Sequence, residues 1–380
     1  MPKVSPTKFF RRQSIESRVK ADIVSKFVGA WSKIVLNSQV KYGKKPKAAY
    51  VDLFSGPGSY EDGAESTPLL VIRASVANAL ARKGLQTFFN DESAPLVVSL
   101  EQEVGKVGVA QLEYAPVFTK EKASIALLQG YALGADTPQF YFLDQFGYAN
   151  VTQEMIKFIF VARRCDCAFF FRISRVVAAL NNPKSQGILA TLFGGKRAAA
   201  LVESCLLQRS VLKKEALIME ALEDSMKEAG ASYFHAFSFR VYERHSAGHY
   251  LIYIGKNEKG LSIMKEIMVK ASSRQNDGVG TMGFTQVEAN PSLFEDPIGD
   301  LQNELLLRFD GQELTVDDIY IGHHAGTSYI RANYQEALRR LEAVDSVQTF
   351  PPAAERPKRV GRSTMAGDTK IVFRRKEPQA

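Results

Sequence analysis

The chain has 380 residues, with 49 Lys+Arg against 41 Asp+Glu and a formal charge of +8 at neutral pH. Hydrophobic residues make up 45% and charged residues 24%, which excludes wholesale disorder, and no apolar run approaches the ~20 residues needed to cross a bilayer. The charge is divided: residues 1–50 hold 12 basic and 2 acidic side chains, residues 355–380 hold 8 and 3, and the balance over 51–354 is −7. Basic ends around a mildly acidic middle suggest polyanion contact by terminal segments, the alternative being a solubilising arm and a solvated tail. The first twenty residues lack the apolar stretch of a secretory signal, so a cytoplasmic protein without membrane attachment is expected. Cys165, Cys167 and Cys205 are too few and too clustered for a disulfide framework, and no His or CxxC pair accompanies them. Buried reduced thiols are expected there, with no metal site.

In chain order, apolar residues recur at three and four from Ser17 to Val40, the spacing of a helix face. Ala48–Phe54 is a short, nearly continuous apolar run entering Ser55-Gly56-Pro57-Gly58, as a buried parallel strand does. A helix over Pro68–Leu80, a strand over Leu85–Phe89, a helix over Pro95–Val104, a strand over Gln139–Leu143, a helix over Gln153–Val161 and a strand over Cys167–Ile173 follow. This alternation predicts an open α/β sheet with ligands at the carboxyl ends of its strands. Glu215–Ala229 reads as a helix, Phe234–Val241 and Tyr250–Ile254 as an antiparallel pair, and Gly260–Lys270 as a closing helix. Residues 1–13 are expected as a basic arm, 14–275 as the α/β domain, 276–297 as a linker and 298–380 as a second domain. In that last segment three helices, the second opened by a capping box at Thr315–Asp318, precede two strands around a basic loop. That order is a winged helix-turn-helix.

Asp52, Phe54, Ser55, Gly56 and Gly58 form the sharpest local feature. Glycines at a strand-to-helix turn allow close backbone approach to a ligand, while the string is neither GxGxxG nor a phosphate loop. Asp91 or Glu92, at the end of the next strand, could accept hydrogen bonds from ribose hydroxyls, or could simply cap a helix. Asp144, Phe146 and Tyr148 combine an acceptor with aromatic rings, a set suited to gripping a planar base, or the acid could cap the following helix. His323 and His324 are adjacent rather than at helical ligand spacing, His245 and His249 flank a strand turn, and each is expected as a polar surface residue.

Lys26–Trp31, YVDLFSGPGSYEDG, Ser66-Thr67-Pro68-Leu69, FYFLDQFGY, Phe169–Arg175, LFGG at 193–196 and HYLIYIGKNEKGLSIMKEIM resemble, in that order, the three-Cys-motif partner protein family (TcmP) over about residues 15–275. The segment from GTSYIRANYQEALRRLE onward resembles the winged helix appended to some members. The resemblance implies a Rossmann-like class I methyltransferase fold, found in bacteria beside a radical-SAM-like protein bearing three cysteines. It implies S-adenosylmethionine as cofactor, with Asp52, Phe54, Gly56 and Gly58 matching the cofactor motif. Asn90-Asp91-Glu92 takes the place of the ribose acid, and Asp144, Phe146 and Gly147 match the family's D-P-F-G. Gln145 stands where the family has proline, so the rigid loop that holds an exocyclic amine is altered.

Two functions follow as expectations. One is a methyltransferase acting on nucleic acid. The other is a catalytically inert methyltransferase-fold scaffold that binds DNA or a protein partner through its winged helix. In either, Arg331, Asn333, Tyr334 and Gln335 would be presented by the third helix, with Lys358, Arg359 and Arg362 on the wing reaching phosphates. The alternative for this unit is packing on a neighbour.

Overall fold

The computed structural model describes residues 12–144, 151–182, 185–240, 247–273, 275–285 and 296–374. The chain divides into two compact units, Met1–Ile267 with Phe284–Gln286, and Met268–Gly283 with Val287–Ala380.

The first unit opens with α1 (Ile15–Lys41), whose Ser14 cap accepts from the Ser17 N–H. β1 (Ala48–Asp52), α2 (Thr67–Ala77), α3 (Ala79–Gly84), β2 (Leu85–Asn90), α4 (Ala94–Gly105), β3 (Val117–Thr119), α5 (Ile125–Gly130) and β4 (Gln139–Leu143) follow. Then come α6 (Gln153–Ile159), β5 (Cys165–Phe171), α7 (Ile173–Leu180), α8 (Gln186–Phe193), α9 (Gly195–Leu206), α10 (Val211–Glu228), β6 (Tyr233–Arg240) and β7 (Ala247–Gly255). The single helix read over Pro68–Leu80 is two, because Asn78 leaves the helical region and recaps α3 through its side chain. β3, α5 and α7–α9 gave no sequence signal strong enough to be placed.

Among the described residues eight strands form one sheet in the order β10-β6-β7-β5-β4-β1-β2-β3, with β10 at Gly283–Thr285. β1 pairs in parallel with β2 and β4, as do β2 with β3 and β4 with β5, whereas β7 is antiparallel to both β5 and β6. Leaving aside the edge strand β10, one antiparallel strand, β7, slotted between β5 and β6 of an otherwise parallel, Rossmann-like sheet is the class I methyltransferase arrangement.

The central strands β1 and β4 are buried on both faces, which explains their unbroken apolar runs. On one face Val51, Tyr141, Cys167 and Phe169 pack with Ile156, Leu189 and Leu222 of the later helices. On the other, Phe27 of α1 lies 4.8 Å from Phe140 and 5.6 Å from Tyr253, ring centre to ring centre. α1 is pinned there by a buried hydrogen bond, 3.0 Å from the Trp31 indole N–H to Asp166. The three cysteines are buried free thiols, and burial pushes the Cys165 and Cys167 pKa values up.

α11 (Glu258–Ala271) contains the point of division between the units. The second unit holds the short pair β8 (Gln275–Asn276) and β9 (Val279–Gly280), then α12 (Pro297–Arg308), β11 (Glu313–Thr315), α13 (Val316–His323), α14 (Arg331–Ala343) and β12 (Val347–Phe350). β13 (Lys358–Arg359), β14 (Arg362–Ser363) and β15 (Lys370–Phe373) complete it. β11, β15 and β12 make an antiparallel sheet, and β13 with β14 form the wing hairpin. Leu301, Ile319, Tyr334, Leu338 and Ile371 share one core. The Thr315–Asp318 capping box is present in both directions. Within the stretch expected as a linker, Val279 is buried in this second core and Gly283–Thr285 adds an edge strand to the eight-stranded sheet, while 286–295 lie outside the described residues. Backbone pairing needs no apolar sequence, so composition could not reveal it. Among the described residues no helix is long and apolar enough to cross a membrane.

Candidate functional site

In the first unit a cleft of about 210 Å³ opens at the carboxyl ends of β1, β2, β4 and β5 and beside the start of β7. Parallel packing brings these ends together: Asp52 closes β1, Asp91 follows β2, Asp144 follows β4, and Phe170 and Arg172 stand at the end of β5. The N-terminal turn of α1 lines the same cleft through Ser14, Ser17 and Lys20.

Asp52 is 1% exposed. Its carboxyl group accepts from the Phe54 N–H at 3.1 Å and from the Tyr50 hydroxyl at 3.1 Å. Burial dominates these bonds and pushes its pKa up to about 8. The loop that follows needs positive φ at Gly56 (67°) and Gly58 (89°), a conformation that a side chain resists. Their roles differ. Gly56 lines the cleft and donates its N–H to Asp91 at 3.1 Å. Gly58 lies outside the lining; a Cβ there would come within 3.0 Å of Leu100 and 3.2 Å of Glu103, so this glycine allows α4 to pack against the loop. Phe54 and Ser55 line the cleft, and the Ser55 hydroxyl donates to the Asn90 carbonyl at 3.1 Å.

Asn90, which ends β2, and the two acids that follow it separate in space. Asn90 is fully buried; its amide donates to the Leu53 and Glu121 carbonyls at 3.2 and 2.8 Å, and its oxygen accepts from Thr119 and the Glu121 N–H. It therefore ties the ends of β1, β2 and β3 together. Asp91 lines the cleft, and besides Gly56 it accepts from the Ser93 N–H at 2.9 Å. Burial raises its pKa. Glu92 is exposed and outside the lining.

Across the cleft, Asp144 is ion-paired with Lys20. Lys20 also sits 4.5 Å from the centre of the Phe170 ring, and the Arg172 guanidinium 5.8 Å from it. His249 stacks on the same ring at 5.1 Å with 19° between planes. Burial first, then Arg172, lowers the His249 pKa to about 4, so it is neutral at physiological pH. Among the described residues the buried Nε of Arg172 has no hydrogen-bond partner. Gln145, Phe146 and Tyr148 lie outside the described residues.

Sequence inspection missed Lys20, Phe170, Arg172 and His249. The first was read as part of an anonymous helix, and His249 was expected on the surface. Only the junction of β5 and β7 shows that they meet. His323 and His324 depart from expectation likewise. His324 is buried and stacks on Tyr320 at 4.1 Å, and His323 lies 2.7 Å from the Tyr334 hydroxyl.

In the second unit, two of the expected groove residues are withdrawn into the structure. Asn333 is 3% exposed and accepts from the Ile330 N–H at 2.8 Å, because at the third position of α14 it caps the helix start. Tyr334 is fully buried in the core. Arg331 is ion-paired with Asp317 and lies over Tyr320 at 4.7 Å. Gln335 donates to the Met365 carbonyl at 2.7 Å, fastening the wing to the helix. The wing residues Lys358, Arg359 and Arg362 are exposed. Val360 (φ 50°) and Gly361 (φ 75°) make the two-residue turn between them.

A family model described as a GMT-like wHTH domain matches residues 283–354. No curated protein matches the chain. Solved structures similar to it include the DszA carbon methyltransferase, 13% identical with a TM-score of 0.39, over 67% of this chain and 60% of that one. Trm1 from Pyrococcus horikoshii with S-adenosyl-L-methionine is 13% identical with a TM-score of 0.35, over 69% and 61%. Magnesium protoporphyrin IX methyltransferase from Synechocystis PCC 6803 with bound SAH is 17% identical with a TM-score of 0.27, over 65% and 91%.

Proposed function

We propose that the chain is an S-adenosylmethionine-dependent methyltransferase that acts on nucleic acid and binds it with its winged helix. The observation that carries this is the first unit's cleft, where Asp52, Gly56 and Asp91 stand on one side and Asp144, Phe170, Arg172 and His249 on the other. The residues fit the cofactor. Gly56 offers close backbone approach, and Asp91, with two N–H bonds already made, keeps carboxylate lone pairs for ribose hydroxyls. When bound, the cofactor supplies an electrophilic methyl group on a sulfonium sulfur.

The chain's own part is positioning. Asp52 and Asp91 fix the loop between them, the β4 and β5 ends wall the acceptor side, and the uncommitted Arg172 donor suits an anionic group such as a phosphate next to the acceptor atom. Phe146 and Tyr148 remain proposed on sequence alone as base-gripping rings. The resemblance to three-Cys-motif partner proteins extends the proposal to such a partner, and co-purification of the pair tests it.

Calorimetric titration with S-adenosylmethionine is the test of cofactor binding. Wild-type protein is expected to release heat on binding, and Asp91→Ala to bind more weakly. No heat from wild type, or Asp91→Ala indistinguishable from it, sinks the proposal.

One observation favours a second function, an inert scaffold. Lys20 occupies the Asp144 carboxylate that an acceptor amine would need. Transfer of labelled methyl from cofactor to bulk DNA or RNA separates the two, since a scaffold binds without transfer.

A further inference from the structure

A second cleft, of about 550 Å³, lies within the second unit between α14 and the wing, and Gln335, Glu336, Arg339, Arg359, Arg362 and Ser363 are among its lining residues. Glu336 is the one acid among the described lining residues. It is shared by three guanidinium groups: Arg339 at 2.8 Å, Arg340 at 3.4 Å and, from the wing, Arg362 at 3.4 Å. A guanidinium carries five N–H donors and no acceptor, so a single carboxylate leaves this cluster short of acceptors. Arg339 shows the shortage directly, for its Nε is buried without a hydrogen-bond partner among the described residues. Arg359 is exposed and has no carboxylate partner among them.

Two other arginines of the helix have little cationic capacity to spare. Arg331 is held by Asp317, and Arg340 also reaches Asp277 at 3.1 Å and Asp296 at 3.2 Å. With Asn333 and Tyr334 buried, the residues placed to read base edges from the start of α14 are committed to the fold. The wing, by contrast, is preformed. Gln335 and the buried Arg356, which is paired with Glu342 and lies 3.3 Å from the Met365 sulfur, hold its base to α14.

We propose that this cleft is a phosphate subsite for a nucleic-acid backbone, in which Glu336 holds the guanidinium groups in the free protein and gives them up to a phosphodiester. The inference rests on the nucleic-acid function proposed above and specifies its mode. Contact is made on the backbone by Arg359 and Arg362 of the wing together with Arg339 of α14, so binding is salt-dependent and indifferent to sequence. The planar guanidinium fork matches a phosphate in two hydrogen bonds, and an ion pair at this exposure is weak enough to exchange.

The test is fluorescence anisotropy of the full chain with two labelled DNA duplexes of unrelated sequence, between 50 and 200 mM salt. Arg359→Ala and Arg362→Ala should each lower the slope of log affinity against log salt by about 0.9, so that affinity falls roughly threefold less than in wild type across that range. Glu336→Gln should bind more tightly by a similar factor, and Glu336→Asp, which keeps the charge, should stay near wild type. Both duplexes should bind alike. If wild type binds but Glu336→Gln is unchanged or weaker while thermal melting shows it folded, the subsite is overturned. So it is if the two wing variants keep the wild-type slope, or if one duplex is preferred by a hundredfold. A polyglutamate that competes better than duplex would put an acidic protein in this cleft and likewise overturn the proposal. A wild-type protein that binds neither duplex nor single strand removes the nucleic-acid function itself, a distinct outcome.

Discussion

The cleft in the first unit and the cleft in the second solve the problem of holding polar groups by opposite means. In the first, carboxylates are taken out of water and satisfied by the backbone: Asp91 by Gly56 and Ser93, Asp52 by Phe54 with help from Tyr50. Burial makes each of these bonds count and shifts the protonation equilibria of the groups that make them. In the second, charged side chains stay near water and balance one another around Glu336. Solvent and salt screen those pairs, so they stabilise the fold little and exchange partners readily. A buried site of the first kind suits a small ligand that must be oriented. A screened site of the second kind suits a long polyanion.

Substitutions can break that contrast, and the largest effect is expected at Gly58. Gly58→Val adds a side chain at φ 89° directly against Leu100, and should cost about 2–4 kcal/mol of stability, read by denaturant unfolding. A loss under about 0.5 kcal/mol would mean that the loop is free to move away from α4. Next is Asp91→Ala, which removes the acceptor for two N–H groups and should weaken cofactor binding by roughly tenfold to a hundredfold. Trp31→Phe deletes the indole donor to Asp166 and should cost about 1–3 kcal/mol without reaching the cleft lining, so unfolding shifts while cofactor affinity holds.

The pH dependence sharpens the buried half of the comparison. Asp52 has a folded pKa near 8, well above its unfolded value, so the folded state keeps a proton that the unfolded state has released. Its contribution to stability is present below about pH 4 and is lost as pH rises from there through about 8. Asp52→Asn should flatten that part of the pH profile of stability relative to wild type, as measured by urea midpoints; parallel profiles would exclude a buried, proton-holding Asp52. Smallest of all is Lys358→Ala on the wing, which should change the salt slope of DNA binding by at most about 0.9 and leave stability untouched.

The limits of the sequence are physical. Asp52, Phe54, Ser55, Gly56 and Asp91 were legible because a strand end followed by glycines is a local pattern, and they do share one cleft. Asn90 and Glu92 could not be told from Asp91, since only β3 pairing decides which of three consecutive polar residues turns inward. The choice of Asn333 as a base reader failed for a related reason. Its position three residues after Ile330 makes it a cap, and that is settled where the helix begins, which composition leaves uncertain by several residues.

By itself, then, the amino-acid order determined what depends on near neighbours: the buried strands, the glycine loop after β1, the capping box at Thr315 and the winged-helix order of elements. Tertiary structure alone decided what depends on residues far apart in the chain. Lys20 and Asp144, 124 positions apart, become an ion pair. Phe170 and His249 stack because β7 inserts antiparallel beside β5. Arg362 meets Glu336 because the wing folds back on α14. Periodicity carries information over a few turns of chain. Such meetings are fixed by strand order and helix packing, which no local pattern contains.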